Sequence, residues 1–101
     1  MQLRPHHALS KCLDVAGKSI ADAANVFQWT CLPDPADNQR WYFTDGTVTT
    51  EGVYYYNIRA KHSGKCLDVE DKGTKDATNV FQWTCLGMTA QNQRWSIWVF
   101  V

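Results

Sequence analysis

At 101 residues, with 45% of them apolar and 20% charged, the chain holds enough apolar material for one packed domain and too little charge for a disordered one. Ten Lys and Arg balance ten Asp and Glu, which excludes the strong positive field that draws a protein to nucleic acid or an anionic membrane surface. No apolar run approaches the roughly 20 residues that cross a bilayer, and residues 1–10 lack the apolar core of a secretory signal, so the chain reads as a mature form or as an expressed or truncated piece.

In chain order, Lys11-Cys12-Leu13-Asp14-Val15 alternates apolar and polar residues as a half-buried strand does. The turn formers Ala16-Gly17-Lys18 follow. Ile20-Ala21-Asp22-Ala23-Ala24 is the best helical stretch, and it is too short to stand without packing. Val26-Phe27-Gln28-Trp29-Thr30-Cys31 is rich in β-formers, Pro33-Asp34-Pro35 breaks it, and Gln39-Arg40-Trp41 opens a third extended run. Asp45-Gly46 marks a turn, and residues 53–59 read as the next strand. A second series then begins with Lys65-Cys66-Leu67-Asp68-Val69, the turn Asp71-Lys72-Gly73, the strand Val80-Phe81-Gln82-Trp83 and the break Gly87-Met88-Thr89. The fold class is all-β.

The second series is the first displaced by 54 positions, without a gap. From Lys11 to Trp41, 21 of 31 aligned positions are identical, so any chemistry proposed for one copy applies to the other. The expected boundaries are one domain over 1–101, with repeats at about 4–47 and 54–101. Four Cys without a Cys-x-x-Cys pair favour disulfides, and hence an oxidising, extracellular compartment, over zinc or redox chemistry. Cys12 with Cys31 and Cys66 with Cys85 are spaced alike, so pairing within each repeat satisfies the symmetry and is the expected one of the three connectivities.

The series Cys-Leu-Asp-Val, Val-Phe-Gln-Trp-Thr-Cys and Asn-Gln-Arg-Trp resembles the repeat of ricin-B-type lectins and related carbohydrate-binding modules, with their Gln-x-Trp signature. The resemblance covers nearly the whole chain and implies a β-trefoil with two of the usual three repeats, the fold being completed by a partner copy or a third repeat, or the chain belonging to a larger parent. It also implies one shallow sugar pocket per repeat: Asp14, Trp29, Asn38 and Gln39 in the first, Asp68, Trp83, Asn92 and Gln93 in the second. The chemistry suits a pyranose, whose C–H face stacks on an indole and whose hydroxyls meet a carboxylate and an amide. Trp29 and Trp83 would stack, Asp14 and Asp68 would accept from adjacent hydroxyls, Asn38 and Asn92 would complement them, and Gln39 and Gln93 would brace the carboxylates. The plainer alternatives are that the indoles pack inward and that the aspartates only cap turns. Phe27 and Phe81 stand where some members of that family carry a supporting Gln, a role that Gln28 and Gln82 could take over.

The implied ligands are glycans, of galactose type first and xylan type second, with no cofactor, metal, nucleic acid or membrane insertion. Trp41 and Trp95 read as core. His6, His7 and His62 lack ligand spacing and read as surface residues. Asp14 and Asp68 are repeat equivalents in separate pockets and cannot flank one glycosidic bond, so catalysis has no support. The charged run 70–76 reads as a solvated loop, and the apolar run 95–101 as a strand open to pairing. Two other functions stay open: a non-catalytic trefoil scaffold that binds a protein, and a targeting appendage of a secreted glycoside hydrolase or toxin.

Overall fold

The computed structural model describes residues 1–97. The sequence-predicted terminal strand falls largely on residues 98–101, which lie outside the described residues. Six strands form: β1 (Lys11–Val15), β2 (Val26–Thr30), β3 (Trp41–Val48), β4 (Tyr54–Ala60), β5 (Cys66–Val69) and β6 (Val80–Trp83). β1 and β2 make an antiparallel pair, and β3-β4-β5-β6 make an antiparallel sheet in sequence order. Among the described residues the helical elements are all three-residue 3-10 turns, including Asp37–Gln39 and Gln91–Gln93.

The register repeats with the sequence. Cys12 faces Trp29 and Asp14 faces Phe27 across β1 and β2; Cys66 faces Trp83 and Asp68 faces Phe81 across β5 and β6. Because side chains alternate along a strand, these residues share one face, and Leu13, Gln28, Leu67 and Gln82 take the other. The disulfides are Cys12–Cys31 and Cys66–Cys85, each joining residues 19 apart.

The core is small: Val15, Trp41, Ile58, Ala60 and Leu67, flanked by Leu13, Val26, Phe43, Val80 and Trp95. Trp41 is fully buried and its indole N–H donates to Leu13 O at 3.0 Å; Trp95 repeats the bond to Leu67 O at 3.1 Å. Each tryptophan thus ties the Cys-Leu-Asp-Val strand of its own repeat, β1 or β5, to the core.

Two sequence expectations change. Asp45-Gly46 is not the turn between repeats: it is a bulge inside β3, where pairing shifts between Thr44 and Thr47. Asp45 takes φ 55°, and a Cβ on Gly46 would lie 2.9 Å from Tyr56, so the bulge accommodates that ring. The chain reverses at Thr49–Gly52, closed by Thr49 N–H to Val53 O at 2.9 Å. As their length implies, residues 20–24 form no helix, with Ala23 at φ 69°, and they are the loop that packs one repeat on the other. His62 is half-buried rather than a loose surface residue, its Nε2 donating to Ser19 O at 2.7 Å.

That junction is built on Gln82, fully buried, which donates to Ser19 O and Ala21 O, both at 2.8 Å, and accepts from Ser63 Oγ at 3.0 Å. Its backbone pairs with Ala23 and Ala24. Asp22 adds a bond from Thr84 N–H at 2.7 Å and an ion pair with Lys65 at 3.2 Å. Partial burial pushes the Asp22 carboxyl up, but the Thr84 hydroxyl and amide and the Lys65 ammonium outweigh it and hold its pKa below the ordinary aspartate value. This contribution to stability is present above the ordinary aspartate range and is lost as pH falls through the lowered value. A carboxyl NMR titration should place the Asp22 midpoint below that range, and a midpoint within or above it would contradict the geometry.

Candidate functional site

Each repeat carries a shallow hollow on the face that the register shares between disulfide, aspartate and aromatics. The first is lined by Asp14, Gly17, Phe27, Trp29, Leu32 and Asn38 among others, the second by Asp68, Asp71, Phe81, Trp83, Leu86 and Asn92. The pairs are repeat equivalents throughout. Six of the eight sequence-predicted residues line these hollows directly; Gln39 and Gln93 are fully buried beneath them.

The floor is a fixed hydrogen-bond network. Gln39 Nε2 donates to Asp14 Oδ2 at 2.8 Å and to Thr30 O at 3.0 Å, while its Oε1 accepts from Leu32 N–H at 2.9 Å. Gln93 does the same with Asp68 at 2.8 Å, Thr84 O at 3.0 Å and Leu86 N–H at 3.0 Å. Both glutamines reach the site because the 3-10 turns Asp37–Gln39 and Gln91–Gln93 project them inward. With its amide satisfied at both ends, each glutamine holds one rotamer and fixes its carboxylate.

The asparagines are anchored by their amino ends. Asn38 Nδ2 donates to Val15 O at 3.3 Å, and Asn92 Nδ2 donates to Val69 O at 3.2 Å and to Asp68 Oδ1 at 3.1 Å. In both, Oδ1 is buried without a partner. A buried unpaired acceptor costs about 1–3 kcal/mol, and the same atom carries it in both repeats.

The walls are aromatic pairs. Phe27 and Trp29 stack with centroids 5.7 Å apart, and Phe81 and Trp83 with centroids 5.6 Å apart. Trp29 is 54% exposed, so its ring lies over the surface instead of packing inward. The phenylalanines are part of the site, which the sequence reading missed; their spacing of two from each tryptophan was the available signal. Gln28 and Gln82 cannot supply a supporting hydrogen bond here, since alternation sends them to the opposite face. Gln82 serves the junction, and Gln28 is exposed beside a groove lined by Leu3, Leu13 and Phe27. The run 70–76 is exposed as expected, yet Asp71 and Lys72 in it form a rim of the second hollow. Among the described residues no group of three or more His, Cys, Asp or Glu is placed to hold a metal ion.

Residues 37–100 match the family described as ricin-type beta-trefoil lectin domain-like. The chain belongs to that family. Among solved structures similar to this ricin-type trefoil is the designed three-fold symmetric protein ThreeFoil, 39% identical with a TM-score of 0.77, the match covering 93% of this chain and 60% of that one. An exo-beta-1,3-galactanase from Clostridium thermocellum is 33% identical, with a TM-score of 0.70, over 88% of this chain and 18% of the enzyme. The hemolytic lectin CEL-III shares the fold at 23% identity and a TM-score of 0.64, over 88% of this chain and 20% of that protein. The ricin-type trefoil chain therefore spans less than two-thirds of each of these proteins. A sequence search of curated proteins returned no match. The all-β trefoil architecture is established by these likenesses, and the share of ThreeFoil covered is close to that of two among three equal repeats. A lectin-like trefoil is a binding fold, and carbohydrate is the ligand class that the family points to.

Proposed function

We propose that the chain is a secreted, non-catalytic sugar-binding module, one domain over 1–101 with repeats at about 4–47 and 54–101, and one pocket in each. The observation that carries this reading is the convergence, twice over, of a tryptophan stacked on a phenylalanine, a glutamine-braced carboxylate and a buried unpaired amide oxygen on one hollow. Trp29 and Trp83 take the C–H face of a pyranose, Asp14 and Asp68 accept from its hydroxyls, and Asn38 and Asn92 offer the remaining acceptor. Gln39 and Gln93 hold the carboxylates still.

Galactose-type sugars are the first choice, supported by the likeness to a galactanase, and xylan-type chains the second. Each open site is worth about −4 kcal/mol, a millimolar affinity, and two sites on one chain gain by avidity on a polymeric glycan. The module is completed by a third trefoil unit, in a longer chain or from a partner copy. Gln28, Thr30 and Lys11 match the Gln82, Thr84 and Lys65 of the junction, and Asp76 matches Asp22; Gln28, Thr30 and Asp76 are exposed, so both halves of a further junction are available.

Titrating tryptophan fluorescence with galactose, lactose and xylo-oligosaccharides tests the pockets. A saturable response is expected in the native chain, with loss of at least tenfold in affinity in Trp29→Ala/Trp83→Ala, about 1.4 kcal/mol. A folded protein unresponsive to every sugar at high millimolar concentration would point to a protein partner instead.

A further inference from the structure

The two hollows carry the same aromatic, amide and buried carboxylate residues, the aromatics being more exposed in the first, and their linings differ in residue type at one position: Gly17 in the first, Asp71 in the second. Both residues sit in the left-handed region, at φ 62° and φ 51°, so the backbone at the rim follows the same path. A Cβ at Gly17 would meet nothing within 4 Å. A side chain at this position therefore stands free at the mouth of the hollow. Asp71 is exposed, and among the described residues no hydrogen bond or ion pair engages its carboxylate. The neighbouring lysine, Lys18 or Lys72, is common to both rims and cannot distinguish them.

The charge balance of the linings follows. The first hollow holds one carboxylate and one ammonium, Asp14 and Lys18; the second holds two carboxylates and one ammonium, Asp68, Asp71 and Lys72. The buried carboxylates are also wired differently. Asp68 Oδ1 accepts from Asn92, whereas Asn38 gives no bond to Asp14. Asp68 is thus more fully engaged by protein, and the free negative charge of the second hollow lies at its rim.

We propose that Asp71 makes the second pocket selective for sugars carrying a protonated amine, while the first pocket reads neutral sugars. This inference rests on the pocket reading above and adds the ligand class of one site. An ammonium at the mouth donates to the Asp71 carboxylate in a charge-assisted bond. A sugar carboxylate meets repulsion there. Because the rim is exposed, solvent and salt screen the effect to a factor of about two to five.

The test is an NMR titration that follows the indole N–H signals of Trp29 and Trp83 separately, with galactose, galactosamine and galacturonate at pH 6 and low salt. At Trp83 the preference for galactosamine over galactose should exceed that at Trp29 by about two- to fivefold, and galacturonate should show the opposite order. Asp71→Gly should equalise the two signals, Gly17→Asp should confer the preference on Trp29, and added salt should erase it. Aspartate already occupies the equivalent backbone conformation, so Gly17→Asp keeps the fold. Equal preferences at both indoles, with galactose shifting both, would overturn the selectivity and leave the pockets standing. Failure of all three sugars to move either indole in a folded chain would overturn the pockets and the selectivity together.

Discussion

Replacing Gln82 by Ala lowers the stability of the chain by about 2–4 kcal/mol, whereas the same change at Gln28, its repeat equivalent, stays within about 0.5 kcal/mol. The two residues occupy identical sequence contexts and differ only in what packs on them. Gln82 closes three hydrogen bonds at zero exposure, to Ser19 O, Ala21 O and Ser63 Oγ. Its loss removes all three bonds, leaves Ser19 O with only its bond from His62 and Ala21 O with only the long one from Ala24 N–H, and empties a fully buried position at the seam. Gln28 is exposed and its loss strands nothing. In a domain of this size the Gln82 change corresponds to a melting temperature lower by about 10–20 °C. Thermal or urea unfolding of the two single variants decides the matter, and equal losses would mean that the junction does not hold the repeats together as described.

Removing either disulfide should cost about 3 kcal/mol, and by similar amounts for both. Each closes a loop between residues 19 apart, and the entropy withheld from the unfolded chain depends on that length. Cys12→Ala/Cys31→Ala and Cys66→Ala/Cys85→Ala, unfolded in urea beside the native chain, give the comparison. Removing both should cost about 6 kcal/mol, near the whole stability of a small domain, and leave the chain largely unfolded at 37 °C. A four-alanine variant that melts within a few degrees of the native protein would show that the core alone suffices. The small core argues against that outcome, since its buried cluster consists of Val15, Trp41, Ile58, Ala60 and Leu67.

Much of this architecture is legible in the sequence because the sequence states it twice. Identical spacing in the two halves leads to the repeats, the strands and the pairing of Cys12 with Cys31 and Cys66 with Cys85. It also brings Asp14, Trp29 and Asn38 to one hollow and their equivalents to another. What escapes the sequence is what repetition cannot encode. Phe27 and Phe81 are assigned no binding role by a family pattern that carries a polar residue there, yet strand alternation sets them beside the tryptophans. Gln82 and His62 depend on contacts between repeats, which local periodicity does not reveal. Asp45-Gly46 has turn chemistry, but a bulge uses the same left-handed backbone as a turn, and the Tyr56 ring against Gly46 decides which one forms.

The bonds of Gln82 to the junction loop span 61 and 63 positions of chain, whereas each disulfide spans 19. Closing the longer loops costs more chain entropy, and that cost falls before the contacts that offset it exist. Assembly therefore has two tiers: the β1–β2 pair and the β3–β6 sheet can each gather through short connections, and the two then meet at a seam that forms late. The same seam is where the folded protein is expected to open first, as a parting of the β1–β2 pair from the four-stranded sheet. In concentrated solution the β1–β2 pair of one molecule in that parted state can close on the sheet of another.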